Sequence, residues 1–153
     1  MAVTLEPVAP ADYDAFFATM RAYHAELDAY DPASAERPFD IERYRRAVLD
    51  DMEGRELLWI AEDGERAGFV MTHTLPDWPD DSRTVATVSE LYVAPEHRWR
   101  GLGRAAVEEL LAQHRRRGTD EVEAGILRDN APARAFWERM GFEVRSYLTA
   151  RRP

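Results

Sequence analysis

The chain switches between two hydrophobic periods, and each switch marks an element. The stretch VTLEPV (3–8) alternates and predicts a short strand. From Ala11 the period changes: Phe16, Phe17, Met20, Tyr23, Leu27 and Tyr30 share one helical face, with Pro10 near its start. DPASAERP (31–38) reads as a loop, and Asp40 as the N-cap of a second helix carrying Ile41, Tyr44, Val48 and Met52, closed by Gly54. ELLWIAED (56–63), a turn centred on Gly64 and RAGFVMTHTL (66–75) predict a hairpin. After the acidic loop PDWPDDS (76–82), RTVATVSELYVAP (83–95) is the next strand, stopped by Pro95. Leu102, Ala106, Val107, Leu110, Leu111 and His114 stripe a helix that ends at RRRG, with cations at its negative end and Gly118 as a stop. EVEAGIL (121–127) is a strand, APARAFWERM (131–140) a helix terminated by Gly141, and FEVRSYLTARR (142–152) a final strand.

The order is β-α-α-β-β-β-α-β-α-β. Antiparallel hairpins come first and a βαβ crossover follows, so the expected fold class is α/β (α+β): a mixed sheet flanked by helices, with a right-handed crossover. No repeat, linker or low-complexity tract interrupts the 153 residues, and 1–153 is expected to be one domain.

Composition narrows the class. The longest apolar run, LLWIA (57–61), falls far short of the roughly 18 residues a membrane span needs. MAVTLEPVAP lacks the basic and apolar regions of a signal peptide, so a cytoplasmic location without a membrane is expected. The chain has no cysteine, which excludes a disulfide, a thiolate metal site and a Cys nucleophile. Its four histidines show no metal-ligand spacing, so no metal is expected. All 20 basic residues are arginine, a bias that fits a GC-rich genome. Against 29 acidic residues they leave a net charge of −9, which opposes general binding to nucleic acid or anionic lipid and suits a cationic small molecule or basic peptide.

The candidate chemistry begins at EHRWRGLGRAAVEEL (96–110). A glycine-rich loop between a strand and a helix N-terminus suits an anion: its amides point outward and the helix dipole favours negative charge. Arg98, Arg100 and Arg104 add guanidinium forks that match phosphate oxygens. A Walker loop is excluded because the chain has no lysine. GLGRAA fits the dinucleotide pattern G-x-G-x-x-A, but only about 50 residues follow it, too few for further βαβ units.

Read with the preceding arginine, Arg98-Trp99-Arg100-Gly101-Leu102-Gly103 is R-x-x-G-x-G. With SELYVAP before it, the stretch resembles the acyl-CoA pyrophosphate loop of the GNAT superfamily of N-acetyltransferases. NAPARAFWERMGFE (130–143) resembles the family's later motif, with Asn130, Ala133, Phe136, Gly141 and Phe142 in register. The element order agrees over nearly the whole chain. The resemblance implies a mostly antiparallel sheet of six to seven strands with about four helices, splayed between the fourth and fifth strands.

It also implies a site. Acetyl-CoA would be the acyl donor, its pantetheine arm lying in the splay. Main-chain groups of Leu91 and Val93 would bond that arm and polarise the acetyl carbonyl, since amides aimed at a developing oxyanion stabilise acyl transfer. The amides from Arg100 through Gly101, Leu102 and Gly103 to Arg104, with the Arg98 side chain, would hold the pyrophosphate. Asn130 would anchor the pantetheine or act purely as an N-cap before Ala131 and Pro132; the two roles are compatible. Ala133, Phe136 and Trp137 would complete the donor site.

An attacking amine must shed a proton, and Glu90, alternating with Leu91 and Val93, is the candidate base; its alternative is an exposed strand glutamate. Tyr92, on the same face as Glu90, would hydrogen-bond the acceptor or pack. The family usually has Tyr at the position of Trp137, as the acid for the departing thiolate, and indole does not titrate as one. Tyr147 on the final strand, or Tyr92, would replace it; alternatively the thiolate leaves unprotonated and Tyr147 belongs to the core.

The acceptor side would be walled by the first two helices and the hairpin loops, which carry His24, Glu26, Asp28, Asp31, Glu36, His73, Asp77, Trp78, Asp80 and Asp81. That rim suits a cationic amine, of a small molecule or peptide, or is a set of solvated carboxylates. The implied function is acetyl-CoA-dependent N-acetylation. A non-catalytic acyl-CoA-binding module is the alternative that Trp137 motivates, and acylation of aminoacyl-tRNA is opposed by the net charge. Family members are frequently dimers, which makes a homodimer the expected assembly.

Overall fold

The protein is described over residues 2–153 in a computed structural model. In chain order its elements are β1 (Val3–Pro7), α1 (Tyr13–Leu27), α2 (Ile41–Leu49), β2 (Arg55–Glu62), β3 (Glu65–Pro76), β4 (Thr84–Val93), α3 (Leu102–Arg117), β5 (Glu121–Ala124) and α4 (Ala131–Arg139). Single 3₁₀ turns precede α1, follow it, and lead out of β4. The five strands form one sheet in sequence order. The first four are antiparallel, and β5 joins β4 in parallel after the α3 crossover.

Alternation in the strands builds two apolar faces. On one, Leu57, Trp59, Phe69, Met71 and Tyr92 pack against Phe16, Phe17 and Met20 of α1 and Val48 of α2. On the other, Leu58, Val70 and Val88 meet Val107 and Leu110 of α3 and Trp137 of α4. Helix boundaries follow local chemistry. The Asp40 side chain accepts from the Arg43 amide at 3.1 Å, Asn130 accepts from the Ala133 amide at 3.1 Å, and α3 stops at left-handed Gly118.

Three expectations need correction. Helix α2 ends at Leu49, so Met52 lies in the turn before β2. Strand β5 stops at Ala124 instead of reaching residue 127. Residues 142–153 add no sixth strand; the sheet has five among the described residues. Alternation decides which face a strand would bury, but only a partner edge makes it a strand, and β5 presents just four residues. The segment is tethered instead by side chains, Arg145 to Glu121 at 2.6 Å and Arg152 to Glu36 at 2.5 Å.

Candidate active site

A β-bulge sets the centre of the site. In the β3–β4 ladder Met71 opposes Glu90 and Thr72 opposes Val88, which leaves Ser89 as the extra residue on β4. The bulge turns Glu90 onto the α1/α2 face, where its side chain is only 12% exposed. It is therefore not an exposed strand glutamate. The Tyr44 hydroxyl donates to its Oε1 at 2.9 Å, and His24 Nε2 lies 3.3 Å from the same oxygen. A hydrogen bond to a carboxylate of this kind contributes about 1.5–3 kcal/mol, so the box is stable as built. Burial, then the negative charge of Glu90, push the Tyr23 and Tyr44 hydroxyls far above the ordinary phenol range. Both stay neutral beside the carboxylate.

Beside this box an open cleft of about 470 Å³ runs along β3–β5, lined by Arg55, His73, Asp77, Thr87, Ser89 and Glu123 among others. Arg55 and His73 are cross-strand partners in the rows that carry Leu57 and Met71, so the cleft opens on the Glu90 face.

Strand β5 pairs with β4 only from Val85 to Val88 and ends at Ala124, so among the described residues no strand lies beside β4 from Ser89 to Val93 on that edge. Leu91 and Val93 lie on β4 past this point, their side chains packed toward Leu102 and Ala106 of α3. The loop that follows reaches α3 through two left-handed residues, Trp99 (φ 65°) and Gly101 (φ 81°). No side chain caps α3, so its first amides are left for an outside acceptor. A Cβ at Gly103 would meet the Phe136 ring at 3.4 Å, an ordinary contact, so the start of α3 lies close against α4. An unpaired sheet edge beside an uncapped, glycine-lined helix start fits a pyrophosphate-bearing donor.

Each loop arginine is engaged by a carboxylate. Arg98 donates to the Val93 carbonyl and to Glu26, both at 2.7 Å, and its guanidinium lies over the Tyr92 ring. Arg100 pairs with Glu62 at 2.7 Å, and Arg104 with Glu108 at 2.9 Å. Tyr92 itself is buried between Tyr23 and Phe69, with its hydroxyl 3.4 Å from Glu26.

A family model described as "Acetyltransferase (GNAT) family" matches residues 19–142. The chain belongs to this family. It is 31% identical over 120 residues to a mycothiol acetyltransferase of Saccharomonospora viridis, covering 76% of this chain and 39% of that protein. To the [Ribosomal protein bS18]-alanine N-acetyltransferase of Escherichia coli it is 27% identical over 121 residues, covering 79% and 72%. The fold superimposes on a ribosomal-protein-alanine N-acetyltransferase structure from Brucella melitensis with a TM-score of 0.72, at 22% identity and 99% coverage of both chains. The chain spans about two fifths of the length of the mycothiol acetyltransferase it matches.

The stretch that resembles the family's later motif opens α4, with Asn130 capping Ala133, and Ala133 and Phe136 packed beside the Trp137 core. Trp137 is 6% exposed and stacks edge-on with Phe136 and Phe142, so the residue that departs from the family pattern is a core residue here. Tyr147 is not on an apolar strand face: it stands 87% exposed in the C-terminal segment. Tyr23 and Tyr44, read from the sequence only as members of apolar helix faces, stand beside Glu90. Their positions on core-facing stripes were a usable signal, because a buried phenol requires a partner and Glu90 is a carboxylate facing the same layer.

Proposed function

We propose that this GNAT protein transfers an acetyl group from acetyl-CoA to a primary amine of a small molecule or peptide, by direct attack in a ternary complex with Glu90 as general base. The observation that carries the reading is the half-buried Glu90 carboxylate, set by a bulge between an acidic cleft and the unpaired edge of β4. A base there faces the acceptor on one side and the donor gap on the other. Main-chain groups of Leu91 and Val93 serve the acyl end of the donor. The amides of residues 100–104 and the side chains of Arg98, Arg100 and Arg104 serve its pyrophosphate, exchanging internal carboxylates for phosphate oxygens.

Asp77 and Glu123 give the cleft a cationic preference, in keeping with an ammonium acceptor. The departing thiolate, with a thiol pKa near 8.5, needs little acid assistance; Tyr92 and Tyr147 are the candidates to supply it. Cytoplasmic action as a homodimer without nucleic acid completes the reading.

The test is thiol release from acetyl-CoA, followed with a disulfide reagent across polyamines, aminoglycosides, amino acids and basic peptides. The cysteine-free chain adds no background. Release that depends on one amine class and falls about 10²–10⁴-fold in Glu90→Gln supports the proposal. No release, with tight CoA binding by calorimetry, would favour the non-catalytic acyl-CoA-binding module instead.

A further inference from the structure

A half-buried base must dispose of its proton before the next turnover, and the surroundings of Glu90 offer few routes. The Tyr44 and Tyr23 hydroxyls are held neutral by burial and by Glu90 itself, so neither passes a proton onward through an ionised state. His24 differs. Its Nε2 lies 3.3 Å from Glu90 Oε1, is shut off from solvent and has no hydrogen-bond partner. The side chain as a whole is 17% exposed, and Nδ1 is neither bonded within the chain nor among the buried unpartnered atoms. One ring nitrogen thus faces the carboxylate and the other faces water.

The ring is also held in position. It lies flat on Phe39, with centroids 3.8 Å apart and planes 4° from parallel, and is flanked by Tyr23 and Tyr44 at 5.2 Å. Glu90 of β4, Tyr44 of α2 and Tyr23 of α1 are the titratable groups that face it, with Arg55 of β2 acting on Tyr44.

Resting on the acetyltransfer reading, we propose that His24 is the proton outlet of Glu90. An N–H bond of the substrate ammonium breaks, and the proton goes to the Glu90 carboxylate. It then moves to His24 Nε2, restoring the carboxylate and forming imidazolium. Nδ1–H releases a proton to water, and the ring resets when side-chain rotation brings Nε2 to solvent, where Nε2–H is lost to water and Nδ1 takes a proton from it. Charge and atoms balance, and no further reactant is needed. His24 acts through Glu90, as a positioning and relay residue.

The experiment compares wild type, His24→Gln, His24→Phe and His24→Ala in thiol release at saturating acetyl-CoA with the best amine, with and without added imidazole, in H₂O and D₂O. His24→Phe keeps a flat ring against Phe39 and guards against loss of the fold, which a thermal melt checks for every variant. The expected result is a kcat lower by about tenfold in all three, an unchanged KM for acetyl-CoA, a larger solvent isotope effect, and imidazole-dependent recovery in His24→Ala. A kcat within twofold of wild type in folded His24→Gln and His24→Phe would overturn the relay, as would a loss in folded His24→Ala that imidazole does not repair. A wild-type chain that releases no thiol with any amine removes the acetyltransfer reading and the relay with it, whereas an active wild type with unaffected variants removes the relay alone.

Discussion

The two halves of the site are prepared in different ways. Around Glu90 the groups are half-buried, aromatic and already in contact: Tyr44 at 2.9 Å, His24 at 3.3 Å, and Phe39 stacked behind the imidazole. The segment 96–104 that leads into α3 is more open, with Trp99 almost wholly in solvent, and its arginines rest on Glu26, Glu62 and Glu108. On the proposed reading the first arrangement is preorganised for the chemical step, and a change in it is expected to fall there. The second is provisional. Its ion pairs lie where water screens them, so they hold the cations near the helix start at little cost to a competing phosphate. Arg98 links the halves, since its partner Glu26 is on α1, two residues beyond His24.

Breaking the preorganised half gives the largest effect. Glu90→Gln retains the hydrogen-bond acceptor but not the base. It is expected to lower kcat by about 10²–10⁴-fold with donor affinity unchanged, measured by thiol release and calorimetry. Equal losses in kcat and CoA affinity would mean that the two halves are not separable.

The provisional half responds in binding. Arg98→Ala is expected to raise the KM for acetyl-CoA about tenfold, and Arg104→Ala, which pairs with exposed Glu108, about two- to threefold. Both effects should shrink in high salt. A kcat effect of Arg98→Ala larger than its KM effect would place Arg98 in the Glu90 half.

A smaller effect separates the helices. His114 on α3 is buried, with Nδ1 2.9 Å from Thr119 Oγ1. Burial, then Arg117, lowers its pKa below the ordinary histidine value, against a weaker pull from Glu56. The folded protein keeps this ring neutral, while the unfolded chain binds a proton near pH 6.5. Its contribution to stability is therefore complete above about pH 6.5 and is lost as the pH falls from there toward the folded-state value. The drop in melting temperature between about pH 7.5 and 5.5 should shrink in His114→Leu. An unchanged drop assigns the pH dependence elsewhere.

The smallest effect is expected from Tyr147→Phe. The segment that carries it is tied down by exposed Arg145 and Arg152 pairs, so kcat should stay within twofold and stability within about 1 kcal/mol. A tenfold fall in kcat would bring the C-terminal segment to the donor site.

Much of the frame was readable along the chain because it depends on neighbours a few residues apart. The Asp40 and Asn130 caps, the Gly118 stop and the left-handed Gly101 that opens α3 all follow from such short-range chemistry. The R-x-x-G-x-G loop and the 130–143 stretch were legible as a resemblance to the family whose model matches residues 19–142. The failure at 142–152 has the same origin, since alternation reports a face and says nothing of a free edge.

What tertiary structure alone decided is the company these residues keep. Tyr44 reaches Glu90 from 46 positions away and Glu26 meets Arg98 across 72, separations over which no periodicity carries information. Packing of α1 and α2 on the sheet turns two core-stripe tyrosines and a rim histidine into the walls of a half-buried carboxylate. The bulge at Ser89 aims that carboxylate at them. The sequence determined which groups can do the chemistry. Helix placement and strand register determined which of them stand close enough to share a proton.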